Sequence, residues 1–281
     1  MNTVNSSKSE PSIPFVHKKV NTFEEDFKNF EELAESDNWK EAIAKGSQLI
    51  EIAHKTERFK EEAKICAQLT ATSFYLGDYN QALSYVKRCR ELSKEFRDQS
   101  IFLRALYLES AAHRALAAKA NEGKMQQSYL YAVKIGEEAA SLYSKSVVKN
   151  STLCGKIYFN LGAAHADNPK GDLKKAAACY TIANECFKQS KSTNDVVRTS
   201  LRLGKVHLLQ SKPALAQKML DQLRPSISSE RLLMHADYLE AQVKFAEKEN
   251  EKGLEIARNG LKRAHFLGAK EDQLRFNSLL Q

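Results

Sequence analysis

Five side chains in the middle of the chain have types and spacing suited to holding an anion. Lys156 and Asn160 stand four residues apart, Arg198 and Arg202 repeat that interval in a second stretch, and Lys205 follows one turn later. On a helix this spacing puts side chains on one face. Lysine offers a compact charge with three N–H donors, arginine a planar fork that meets a carboxylate or phosphoryl group in two bonds, and asparagine a neutral donor. Such a ladder would grip an acidic or phosphorylated segment without transforming it. The rival reading is a set of ordinary solvated charges on an outer surface, because spacing alone does not say which face looks inward.

Candidates for bond-making chemistry are weaker. His165 and His207 follow the same Leu-Gly pair in two stretches, Leu161-Gly162 and Leu203-Gly204. Two histidines bind a metal or move a proton only if a third group converges, so packing rings are expected. Glu109 and His113, one helical turn apart, would form an intrahelical pair. No zinc-protease, phosphate-loop, nucleophile-elbow or dinucleotide-binding signature occurs. The expectation is a non-enzyme with no cofactor and no metal.

Five cysteines, Cys66, Cys89, Cys154, Cys179 and Cys186, are odd in number, contain no C-x-x-C pair and lie in apolar helical patterns. They read as small buried hydrophobes in a reducing, cytoplasmic setting, although a secreted effector lacking an ordinary leader fits as well. The first twenty residues have no apolar run, and no stretch is long and apolar enough to span a membrane.

These candidates need elements to position them. Only five prolines and eleven glycines in 281 residues favour long helices over many tight turns. Residues 1–20, rich in Ser with Pro11 and Pro14, read as a flexible tail. From Thr22, which forms a capping-box pattern with Glu25, apolar residues recur at helical intervals to the end. Asp37-Asn38-Trp39-x-x-Ala42 and Gly77-Asp78-Tyr79-x-x-Ala82 are one junction seen twice: a turn, a cap, then an aromatic and a small residue that lets helices approach. The small residues Ala42, Ala82, Ala132, Ala176, Ala216 and Gly253 recur at intervals of 40, 50, 44, 40 and 37. Pro213 falls in the first turn of its helix, where a missing N–H costs little. The segment 270–281 supplies Leu274, Phe276, Leu279 and Leu280 to cover the last layer.

The best-formed unit, 156–188, carries Tyr158, Leu161-Gly162, His165, then Ala176, Tyr180, Ala183 and Phe187. With its weaker copies it resembles the tetratricopeptide-repeat superfamily, in particular its long-repeat branch, which includes kinesin light chain and bacterial peptide-sensing regulators. Tyr158, Ser200 and Cys66 stand where the family usually has Trp, and the closing proline of each repeat is missing. The resemblance implies an all-α, right-handed solenoid of about six antiparallel helix pairs over 21–281 with a C-terminal capping helix. It also implies a concave groove, lined by the first helix of each pair, that binds a peptide or protein surface.

The charge distribution adds a partner class. The formal charge is +8, and between Lys188 and Arg224 eight basic residues face only Asp195 and Asp221. A basic layer steers an acidic partner. The competing class is a nucleic-acid-associated protein using 188–224, which the lack of any stacking Phe, Tyr or Trp in that segment disfavours. The function expected is a non-catalytic adaptor, scaffold or regulator that holds an acidic peptide or protein surface at Lys156, Asn160, Arg198, Arg202 and Lys205.

Overall fold

The computed structural model describes residues 22–36 and 38–281. It consists of thirteen α-helices: α1 (Phe23–Glu35), α2 (Trp39–Lys55), α3 (Phe59–Tyr75), α4 (Tyr79–Glu95), α5 (Gln99–Ala117), α6 (Glu122–Lys145), α7 (Ser151–Asp167), α8 (Leu173–Gln189), α9 (Thr193–Leu209), α10 (Pro213–Leu223), α11 (Glu230–Ala246), α12 (Asn250–Phe266) and α13 (Lys270–Leu279). Among the described residues there is no strand. The expected tail, 1–20, and the expected cap Asp37 lie outside the described residues; Asn38 is the N-cap of α2 and makes no side-chain capping bond.

Local chemistry starts and stops these helices. Thr22 and Glu25 form the reciprocal capping box, and Asp78, Asp98, Asn121, Asn150 and Asp172 each accept a backbone N–H in the first turn of their helices. Seven of the connections are the same three-residue turn. Glu57, Gly77, Arg97, Lys191, Ser211, Lys248 and Gly268 all take positive φ between 52° and 78°. In each turn that residue's N–H donates to the carbonyl three residues back, and the next N–H to the carbonyl five back, as in Glu57 N to His54 O (3.2 Å) and Arg58 N to Ala53 O (2.8 Å). This is the Schellman motif. Only two of the seven positions are glycine, so five carry the side-chain penalty of the left-handed region.

Hairpins stack by their small residues. Ala42, Ala82, Ala132, Ala176 and Ala216 are wholly buried, and a Cβ at Gly253 would meet the Phe245 ring at 2.7 Å. All six positions expected to allow close approach do so. The core is a column of six apolar clusters, one per layer, running from Phe30, Leu49 and Leu69 at one end to Met234, Ala257 and Phe276 at the other. Each layer touches only its neighbours, the defining property of a solenoid.

Odd-numbered helices pack on one another, α3 on α5, α5 on α7 and α9 on α11, whereas even-numbered helices pack chiefly on their chain neighbours. The odd helices therefore make the inner layer and the even helices the outer one. α13 closes the far end by inserting Phe276 against Gly260 and edge-on to Tyr238 at 5.3 Å.

Two expectations about side chains need correction. Cys154 and Cys186 are joined in a disulfide between α7 and α8, with Cα atoms 6.1 Å apart, while Cys66, Cys89 and Cys179 remain buried and free. The pairing joins residues remote in sequence, so no local motif announced it. Glu109 and His113 do not pair along α5: Glu109 accepts from Arg90 at 2.5 Å, and His113 packs edge-on to Tyr131 at 4.5 Å. A cross-helix arginine is a stronger partner for a buried carboxylate than a neutral imidazole.

Candidate functional site

Each odd helix carries a stripe of polar and aromatic side chains at 3–4 residue spacing. It comprises Gln68 and Tyr75 on α3; Arg104, Tyr107 and Arg114 on α5; Lys156, Asn160 and Asp167 on α7; and Asp195, Arg198, Arg202 and Lys205 on α9. Side-chain contacts link neighbouring stripes. Arg104 Nη2 reaches Gln68 Oε1 at 2.7 Å, Arg114 Nη1 reaches Asp167 Oδ2 at 2.7 Å, and Lys156 Nζ reaches Asp195 Oδ1 at 2.9 Å.

The five residues singled out by spacing all lie on this inner layer, but they do different work. At the N-terminal end of α9, Asp195 accepts from Lys156 through both oxygens, at 2.9 and 3.1 Å, and from Arg198 Nη1 at 3.0 Å. These residues, with Tyr75, Ser192, Thr193, Asn194 and Ser228, line a cleft of about 650 Å³. Tyr75 is 57% exposed and stacks on Trp39 at 5.3 Å, giving the cleft an aromatic wall opposite a charged one.

The position of Lys156 is prepared from below. Gly155 has no Cβ, and one would come within 2.5 Å of the Phe187 ring; the ring thus lies against the α7 backbone, and Lys156 Nζ sits 5.4 Å from its centre. The Cys154–Cys186 disulfide joins the residues flanking this pair. Asn160 commits one of its two amide N–H donors to the Lys156 carbonyl of its own helix at 2.8 Å.

The other end is a closed network. Asp167, the last residue of α7, accepts from Arg114 at 2.7 Å and from Arg202 Nη2 at 2.8 Å, while Arg202 Nε donates to the hydroxyl of buried Tyr180 at 3.2 Å. Burial alone would raise the Asp167 carboxyl, but Arg202, Arg114 and Lys205 outweigh it and hold the group well below the usual carboxylate range. Lys205 makes no ion pair among the described residues; burial and then repulsion from Arg202 lower its ammonium below the ordinary lysine range. Sequence spacing missed Asp195, Asp167, Arg114 and Tyr75. The signal that could have found the first two is their register on the same stripes; nothing local points to Arg114 or Tyr75.

The remaining candidates are packing residues. His165 is buried and its imidazole is pushed down by burial; His207 is half-buried and likewise lowered. Among the described residues no three His, Cys, Asp or Glu side chains converge on a metal position, and no helix is long and apolar enough to cross a membrane. The basic segment 188–224 is partly neutralised in place, since Lys188 pairs with Glu185 at 3.1 Å and Arg224 with Asp237 at 2.9 Å and with Glu240.

Solved structures share this architecture. The apo form of RapI aligns with a TM-score of 0.68 at 13% identity, over 92% of this chain and 94% of that one. A Rap protein complexed with Competence and Sporulation Factor aligns at 0.61 and 11%, over 92% and 73% of the two chains. The Rap conjugation gene regulator of a plasmid, in complex with a Phr peptide, aligns at 0.60 and 12%, over 91% and 78%. No protein-family model matches the sequence, and no curated protein matches it by sequence. The fold is that of the tetratricopeptide-like helical-repeat proteins.

Proposed function

We propose that this tetratricopeptide-like solenoid is a non-catalytic, cytoplasmic interaction module, an adaptor or regulator, that binds an extended acidic peptide or protein segment along its inner groove. One observation carries the reading: the inner stripes of α5, α7 and α9 bring together six cationic side chains, Arg104, Arg114, Lys156, Arg198, Arg202 and Lys205, against two carboxylates, Asp167 and Asp195. A concave surface with one sign of charge concentrates ligands of the other. Arg104 and Arg114 also each hold a buried Nε–H with no hydrogen-bond partner. The peptide complex among similar folds supports the reading by analogy of fold alone.

Within the groove, Lys156, Arg198 and Lys205 face the ligand, whereas Arg202 holds α9 against α7 and α8, and Asn160 bonds within its own helix. The test is fluorescence anisotropy against acidic, neutral and basic octapeptides, with a single-stranded oligonucleotide as competitor. The acidic peptide binds best, and Arg198→Glu with Lys205→Glu weakens it at least tenfold. Undiminished binding by the double variant overturns the groove assignment, and preferential capture of the oligonucleotide moves the protein to the nucleic-acid class.

A further inference from the structure

We infer that Asp195 is a built-in stand-in for the partner's acidic side chain: it occupies Lys156 and Arg198 in the free groove and gives them up when an acidic peptide enters the Tyr75 cleft. The inference rests on the acidic-peptide reading of the groove and adds to it the residue that sets the groove's affinity.

Three features separate this bridge from an ordinary structural one. First, both cations spend their charge on a single carboxylate, and Arg198 does so through Nη1 only. Its Nε and Nη2 make no hydrogen bond among the described residues, so the two-bond fork that arginine offers a carboxylate is left for another acceptor. Second, Lys156 and the helix seam keep their supports without Asp195. Lys156 rests on the Phe187 ring, and the seam between α7 and α9 is bridged independently at Asp167. Third, the carboxylate is stable without the cations, because Asp195 lies in the first turn of α9, where the helix dipole favours negative charge.

The bridge also opens on space. Lys156, Asp195 and Arg198 line the same cleft of about 650 Å³ as the exposed ring of Tyr75, so an incoming carboxylate reaches both cations, with an apolar or aromatic neighbour against Tyr75. The exchange replaces one carboxylate by another and involves no bond-making step. Its cost is the local competition from Asp195, and removing that competitor converts directly into affinity.

The test uses the full chain and a fluorescein-labelled octapeptide of alternating Glu and Tyr, followed by anisotropy. Asp195→Asn is expected to tighten binding about tenfold, equivalent to about 1.4 kcal/mol, while leaving a Lys/Tyr octapeptide no better bound. Asp195→Ser gives a second variant in case the amide disturbs α9. In the Asp195→Asn background, Lys156→Ala or Arg198→Ala abolishes the gain. If neither Asp195 variant tightens binding while Lys205→Glu still weakens it, the stand-in is wrong and the groove reading stands. If none of these substitutions moves the affinity, both are wrong.

Discussion

At one end of the α7–α9 seam Asp195 receives Lys156 and Arg198 beside an open cleft; at the other Asp167 receives Arg114 and Arg202 beneath Tyr180. The two carboxylates are about equally covered, at 18% and 19% exposure. The cations differ: Arg198 is 43% exposed and Lys156 32%, against 18% for Arg114 and 27% for Arg202. Solvent can replace a lost partner at the first end but not at the second. The same pairing of two cations on one aspartate is therefore adjustable in one place and structural in the other, and Arg198 and Arg202, a single turn apart on α9, divide between the two roles.

Removing Asp167 should have the largest effect. Asp167→Ala leaves Arg114 and Arg202, each less than a third exposed, with no carboxylate and is expected to cost about 3 kcal/mol, read as a shift in the urea midpoint with the slope unchanged. A loss under 1 kcal/mol would erase the contrast between the two ends. The disulfide behind Lys156 comes next: Cys154→Ser is expected to cost about 2–4 kcal/mol, a loss that added reductant reproduces in the native protein. Thiol titration under denaturing conditions, giving three free thiols before reduction and five after, checks the pairing directly.

Acid should then discriminate between the ends. The Asp167 carboxyl titrates below its unfolded value, so its contribution is complete above the ordinary aspartate range of about 4 and is lost as the pH falls through the folded value. Asp167→Asn should flatten that acid limb of stability, and a limb unchanged in the variant would remove Asp167 as its source. A smaller effect is expected from Arg198→Ala, at most about 1 kcal/mol, seen in the same urea titration and accompanied by weaker binding of acidic peptide. The smallest is a gain: Lys191→Gly relieves a positive φ of 56° in the turn that leads into the open end, adding about 0.5 kcal/mol without altering peptide affinity.

The repeat was legible because its determinants are local. Capping residues such as Thr22 and Asp78, the glycine of the Gly77 turn, Pro213 at the start of α10 and the buried alanines of the even helices each act within a few residues of themselves. The inner stripe was half legible. Helical spacing grouped Lys156 with Asn160 and Arg198 with Arg202, but only the packing of odd helices on one another shows that α7 and α9 are neighbours in one layer. The partners that sort them into roles are non-local: Arg114 and Asp167 are 53 residues apart, and Lys156 and Asp195 are 39 apart. A ladder of like charges in the sequence thus became two neutralising clusters and one lysine, Lys205, left without an ion pair.

The repeated turn has a mechanical consequence. Tyr75 on α3 and Arg198 on α9 line one cleft although five helices intervene, so the width of that cleft is the sum of small rotations at the joints between them, as the pitch of a coil spring is the sum of its windings. The joints at Gly77, Arg97 and Lys191 share one tightly bonded geometry, while the links from α5 to α6, α6 to α7 and α7 to α8 are longer and depart from it. The three central links thus differ in length and bonding from the turns on either side of them. Any change in the spacing of Tyr75 and Arg198 is therefore shared among all of these joints rather than made at one of them.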